Sequence, residues 1–175
     1  MTASVPDIAR DGVIVWFTGL PASGKSTLAR RMRDRLTPRY PCVVLDSDEI
    51  REAIHARAYE PSERDAFYRS LGALAVVFER QGLVVLVAAT APRCEHRDAT
   101  RRLASRFIEV WVRTDPADCE ARDRKGLYAR ARAGSAPTLP GVGTPYEPPE
   151  HPDVIAEGGL DAAAVAAIEL RFADR

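Results

Sequence analysis

Residues 19–26 read Gly-Leu-Pro-Ala-Ser-Gly-Lys-Ser, and Thr27 follows. Two glycines separated by four residues, then a lysine and a hydroxyl, form a spacing suited to phosphate. The glycines let the backbone of Gly19, Leu20, Pro21, Ala22, Ser23 and Gly24 curl so that its available N–H groups point inward as a nest. A helix starting after such a loop adds the positive end of its dipole. Lys25 can reach the outer phosphates of a nucleotide, and Ser26 can ligate magnesium.

Holding a nucleotide is not a reaction. Phosphoryl transfer to a second substrate needs a carboxylate near the accepting hydroxyl and cations over the phosphates. Asp46 and Asp48 close the apolar stretch CVVL (42–45). Two residues apart on an extended segment, they would face one side. One could hold magnesium through water while the other takes the hydroxyl proton. The alternative is a helix N-cap at Asp48 with Asp46 solvated. The chain holds 25 basic residues, and only Lys25 and Lys125 are lysines. So scarce a lysine at 125 is either chance or a site that needs a compact point charge instead of a planar fork. Arg122, Arg124, Arg130 and Arg132 surround KGLY (125–128) and read as a cationic lid or as a solvated helix face.

These groups need elements to position them. Val13–Thr18 reads as a buried strand ahead of the loop, and Lys25–Leu36 as the helix after it, stopped at Thr37-Pro38. Cys42–Leu45 is a second strand. Pro61 to about Arg80 has helical periodicity, with apolar positions at 67, 71, 74, 77 and 78. Leu83–Ala89 is a continuous apolar run, expected for a strand covered on both faces. A polar helix over 93–105 and a strand over 107–112 follow. Asp115-Pro116 reads as a helix start, and that helix is expected to carry CEARDRKG. Residues 134–152 hold six prolines and three glycines and read as a long functional loop. A short strand at Val154-Ile155 and a helix over 160–172 close the chain. Alternating strands and helices predict an α/β fold with a parallel sheet wrapped on both sides.

The length of 175 residues suits one domain over 1–175, with a lid and loop at about 122–152. Equal counts of 25 basic and 25 acidic residues give no bulk field toward nucleic acid or membrane. No apolar run is long enough to span a bilayer. Three scattered cysteines argue against a disulfide framework and fit a reducing, cytoplasmic compartment.

Together these segments resemble the adenylylsulfate kinase family. FTGLPASGKSTLA resembles its nucleotide loop, LDSDEIR its LDGDxxR, and FIEVWVRTDPADCEARDRKGLYARARAG its fourth strand, helix and lid. GVGTPYEPPEHPDVI resembles its GIDxPYEPPxxPE run. The resemblance covers about Val13 to the end and implies a three-layer P-loop kinase fold with a five-stranded parallel sheet flanked by helices. It implies ATP and Mg2+, transfer of the γ-phosphate to the 3′-hydroxyl of adenylyl sulfate, and small-molecule substrates for a homodimer. It assigns ATP to residues 19–27 and Arg122, magnesium to Ser26 and, through water, Asp46, and catalysis to Lys25, Asp46 and Asp48. It assigns the acceptor to Asp48, Arg51, Tyr59, Arg64, Phe67, Lys125, Gly126, Leu127 and Leu139. Arg64 falls on the arginine of the family's DRxEN element, and Tyr59 on an aromatic that stacks on the acceptor's adenine.

Departures from the pattern gather on the acceptor side. Phe67 stands where DRxEN has asparagine, and Ser70 where an arginine follows. Ala89 and Ala91 replace the Phe and Ser of FISP, Leu139 an aromatic, and Gly143 an aspartate. Such a pocket is expected to fit adenylyl sulfate less well, or to take another small hydroxyl acceptor or nucleotide conjugate. A nucleotide-binding module without turnover is a further reading, against which the pair of aspartates and Lys125 argue.

Overall fold

The computed structural model describes residues 12–56 and 59–173. Five strands, β1 (Val13–Thr18), β2 (Cys42–Asp46), β3 (Val84–Ala88), β4 (Phe107–Val112) and β5 (Val154–Ala156), form one parallel sheet in the order β2-β3-β1-β4-β5. The helices are α1 (Lys25–Leu36), α2 (Ser47–Ala53), α3 (Pro61–Glu79), α4 (Cys94–Arg101), α5 (Pro116–Ala121), α6 (Leu127–Arg132) and α7 (Ala162–Ala173). Among the described residues, no helix is long and apolar enough to cross a membrane.

β1 is the central strand, and all six of its residues are buried. Its alternation sorts the layers. Val13, Val15 and Phe17 pack with Leu28, Ala29 and Met32 of α1 and Ile168 and Phe172 of α7. Ile14 and Trp16 pack with Phe67, Tyr68, Leu71, Ala75 and Val76 of α3. A third cluster sits apart, where Cys119, Tyr128 and Leu139 hold α5, α6 and the long loop together.

Three expectations need correction. Val77 was expected on the core face of α3 but is 51 % exposed, while Tyr68, Ala75 and Val76 are buried. Arg64 also faces inward, beside the expected Phe67 and Leu71, so the buried stripe is not purely apolar. The helix begun at Pro116 ends at Ala121, so Arg122–Gly126 form a turn and not a helix face. The cause lies in Asp123, whose carboxylate accepts from the backbone N–H of Lys125 and Tyr128 and so starts α6 afresh. The 93–105 helix is shorter than expected, ending at Arg101.

The long loop returns over the C-terminal edge of the sheet and is fastened there. The Tyr146 hydroxyl shares a hydrogen bond with Thr18 Oγ1, which donates to the Thr90 carbonyl. The Glu147 N–H donates to the Pro92 carbonyl, and its carboxylate accepts from Cys94 N at the start of α4. Arg97, 1 % exposed, is the hub. It donates to Glu109 Oε1 (2.7 Å), the Ala91 carbonyl (2.7 Å) and the Glu147 carbonyl (2.9 Å). Glu109 also accepts from Arg101 at 2.6 Å.

Removing one partner of a buried ion pair leaves the other uncompensated. Arg97→Leu should therefore lower the unfolding free energy by about 3 kcal/mol in urea titration. A loss below about 1 kcal/mol would mean that Arg101 alone satisfies Glu109 and that the loop is held elsewhere.

Candidate active site

β1 delivers the chain to the C-terminal edge of the sheet, where ligands of open α/β folds bind. Residues 19–24 then curl back into α1. Ala22 adopts φ 60° and Gly24 φ 103°. At Gly24 the backbone has no room for a side chain, because a Cβ there would lie 2.5 Å from the Gly159 nitrogen. Gly159 sits in the turn between β5 and α7, so that turn packs directly on the loop. Thr114 Oγ1 donates to the Ser23 carbonyl (2.8 Å), and the Tyr128 hydroxyl to the Pro21 carbonyl (3.0 Å). The loop is thus clamped from β4 and from α6. Ser26 is half-buried on the first turn of α1, and Thr27 beside it is exposed.

Lys25 is 9 % exposed. Its Nζ folds back onto the carbonyls of Gly19 (3.0 Å) and Leu20 (2.7 Å). Burial lowers its pKa to about 8, with Asp48, Cys119 and Asp46 pulling the other way. A desolvated ammonium held only by carbonyl dipoles is a strong anion trap.

The two aspartates do not sit on one extended segment. Asp46 ends β2, and α2 starts at Ser47. Asp46 is the N-cap, its Oδ1 accepting from Asp48 N at 3.0 Å, so the cap expected at Asp48 belongs two residues earlier. Asp46 is 6 % exposed, and its Oδ2 lies 3.8 Å from Arg30 Nη2. Asp48 points outward, with Oδ2 2.6 Å from Lys125 Nζ. That hydrogen bond raises the Lys125 pKa. The two scarce lysines therefore both converge on this edge.

The acceptor-side residues gather beside them. Arg51, on α2, is 6 % exposed and lies over the ring of Phe67 (3.6 Å to the centroid) and that of Tyr59 (4.7 Å). Arg64, on α3, is 7 % exposed and donates to the Thr138 carbonyl at 2.7 Å. Burial lowers its pKa, and Arg51 pushes the same way. Gly126 (φ 63°) and Leu127 open α6 beside Lys125. Leu139 packs in the third cluster with Cys119 and Tyr128, against Leu20 of the phosphate loop. Arg122 reaches Asp118 at 3.8 Å and flanks Gly158. Sequence reasoning passed over Gly158-Gly159, Thr114 and the Tyr128 hydroxyl. A Gly-Gly pair straight after a short strand was the one visible signal; the others depend on contacts 91 and 107 residues apart.

A clamped phosphate loop at the edge of a five-stranded parallel sheet, with a carboxylate and a lysine facing it, defines an ATP-dependent phosphotransferase of the P-loop kinase class. The adenylylsulphate kinase family model matches residues 11–157. An adenylyl-sulfate kinase of Acaryochloris marina is 40 % identical over 159 residues, covering 88 % of this chain and 77 % of the relative. One of Geotalea uraniireducens is 38 % identical over 171 residues, covering 93 % and 81 %. The APS kinase CysC of Mycobacterium tuberculosis, solved with AMPPNP and APS, superposes with a TM-score of 0.84 at 34 % identity, covering 95 % of this chain and all of that one. The chain belongs to the adenylylsulfate kinase family.

The depressed Lys25 pKa has a measurable consequence. Between pH about 8 and 10.5 Lys25 holds less than a full proton when no anion is bound beside it. A bound polyphosphate favours the ammonium and refills it, so ATP binding, with ATP itself fully ionised, takes up a proton above pH 8. Calorimetry at pH 8.5 in two buffers of different ionisation enthalpy should give an uptake on the order of 0.7 proton, absent in Lys25→Met. Equal enthalpies in both buffers for the wild type would contradict a desolvated Lys25.

Proposed function

We propose that this chain transfers the γ-phosphate of ATP to the 3′-hydroxyl of adenylyl sulfate, giving 3′-phosphoadenylyl sulfate and ADP. The observation that carries the mechanism is the Asp48–Lys125 contact, which brings a carboxylate and a cation from two separate segments to one point at the mouth of the phosphate loop. The acceptor hydroxyl oxygen attacks the γ-phosphorus, the bond to the β-phosphate oxygen breaks, and the hydroxyl proton passes to Asp48. Lys25 and the loop N–H groups offset the charge on the phosphates, and Arg122 flanks the nucleotide. Lys125, Gly126 and Leu127 close over the acceptor, with Arg51, Tyr59, Arg64, Phe67 and Leu139 on its far side.

The residues present fit magnesium. Ser26 and Asp46 offer hard oxygen donors, which suit an ion that keeps several waters and binds phosphate oxygens through one or two protein groups. Ser26 Oγ and, through water, Asp46 would hold it, and it would supply charge neutralisation over the β- and γ-phosphates. Three unpaired thiols, Cys42, Cys94 and Cys119, agree with a cytoplasmic enzyme. A homodimer rests on the family resemblance, and sedimentation would test it.

The test is ADP release with adenylyl sulfate against a panel of nucleotide and sugar hydroxyl acceptors. Adenylyl sulfate should be preferred, and a clearly better competitor would replace it as the acceptor. Asp48→Asn should lower kcat about 10²–10³-fold with the ATP KM within about threefold, because a base acts on the acceptor. Lys25→Ala should abolish transfer while the thermal unfolding curve stays cooperative. Near wild-type turnover in either variant would remove that residue from the chemistry.

A further inference from the structure

The Asp48–Lys125 contact joins two side chains that are each more than 60 % exposed. Such a pair contributes little energy and cannot place its own lysine. A lysine ammonium rides on a flexible four-carbon stem, so its reach is set by where the backbone beneath it is held. One side chain holds that backbone at two points. Asp123 Oδ1 accepts from Lys125 N at 3.1 Å, and Asp123 Oδ2 accepts from Tyr128 N at 2.9 Å. Between these points Gly126 turns the chain with φ 63°, and its N–H donates to the Asp123 carbonyl at 3.4 Å. No atom lies within 4 Å of where a Gly126 Cβ would sit, so packing does not hold the turn there.

The far end of the turn is fixed. Tyr128 is 3 % exposed, packs with Cys119 and Leu139, and donates its hydroxyl to the Pro21 carbonyl at 3.0 Å. Tyr128 N lies in the first turn of α6, where helix N–H groups have no carbonyl partner within the helix. A carboxylate suits the position, because it offers two oxygens to two N–H donors and carries no hydrogen of its own. Through Asp123 the exposed Lys125 is therefore tied to a helix that is itself pinned to the phosphate loop. Holding one end of a flexible clamp in advance lowers the ordering cost when the clamp closes.

We propose that Asp123 is a positioning residue for the acceptor: by holding both ends of the turn over 125–128 it keeps Lys125 at Asp48, beside the phosphate loop. This rests on the kinase reading above, in which Lys125 closes over the acceptor. Asp123 acts through Lys125 and not through contact with substrate. A residue that merely started α6 would affect both substrates alike, and its loss would be felt whether or not Lys125 is present.

The experiment is a double-mutant cycle read by calorimetry, with adenylyl sulfate titrated into protein saturated with an ATP analogue that cannot be cleaved. Asp123→Ala should weaken adenylyl sulfate about tenfold and leave the Kd of the analogue within about threefold. In a Lys125→Ala background, Asp123→Ala should add less than about twofold, because no ammonium is left to place. Asp123→Asn keeps one accepting oxygen and can still form the turn, so it should lose only about threefold. It also serves the same cycle if Asp123→Ala does not fold. A full tenfold loss in the Lys125→Ala background, an equal loss for the ATP analogue, or an Asp123→Ala protein that binds like wild type would overturn the assignment. Wild type that binds adenylyl sulfate without transferring phosphate would fail the kinase reading alone, since the cycle still decides the role of Asp123. Wild type that does not bind adenylyl sulfate would overturn both.

Discussion

The charge of Lys25 is the constraint around which the rest is arranged. An ammonium buried among carbonyls is costly unless the fold holds it there and a ligand repays it. Every clamp on the phosphate loop serves that end. Gly159 presses on Gly24, Thr114 holds the Ser23 carbonyl and Tyr128 holds the Pro21 carbonyl. These come from the turn after β5, the end of β4 and the start of α6, so three distant segments must be in register before the loop has its shape. Once they are, the carbonyls of Gly19 and Leu20 meet Lys25 Nζ.

The strap over residues 144–148 links this loop to the opposite side of the edge. Tyr146 touches Thr18, the last residue of β1, while Glu147 caps α4 and bonds Arg97. The same α4 carries His96 beneath Tyr68, and Tyr68 borders the ring under Arg51. Nucleotide side and acceptor side are thus two ends of one packed structure. The Asp48–Lys125 contact spans them in the open, with both side chains more than 60 % exposed. Such a pair is weak by itself, which suits a contact that must give way to substrate.

Much of this was legible from residue order. The strands stand out because both sheet faces are covered, which leaves uninterrupted apolar runs such as Val13–Phe17 and Val84–Ala88. The phosphate loop carries its chemistry in consecutive residues. What was misread depends on geometry that spacing does not carry. Asp46 and Asp48 were read as one extended face, with a helix cap at Asp48 as the alternative; a helix does start here, but Asp46 is its cap, and spacing alone does not say which of the two acidic residues closes the strand. The buried stripe of α3 was misplaced at Val77 because Arg64 and Tyr68 are buried by partners far along the chain, the Thr138 carbonyl and His96. The α5 helix was carried past Ala121 because the turn-forming role of Asp123 shows only when its carboxylate meets two backbone N–H groups.

The central claim is that this edge brings ATP and a ribose hydroxyl together, with Asp48 facing the hydroxyl. The most direct measurement is the position of the transferred phosphate, by mass spectrometry and phosphorus NMR of the product made from ATP and adenylyl sulfate. A single new phosphomonoester on the 3′-oxygen, absent from the product of the 3′-deoxy substrate, is the predicted result. Inorganic phosphate as the product, or a phosphate on any other oxygen, would contradict the account.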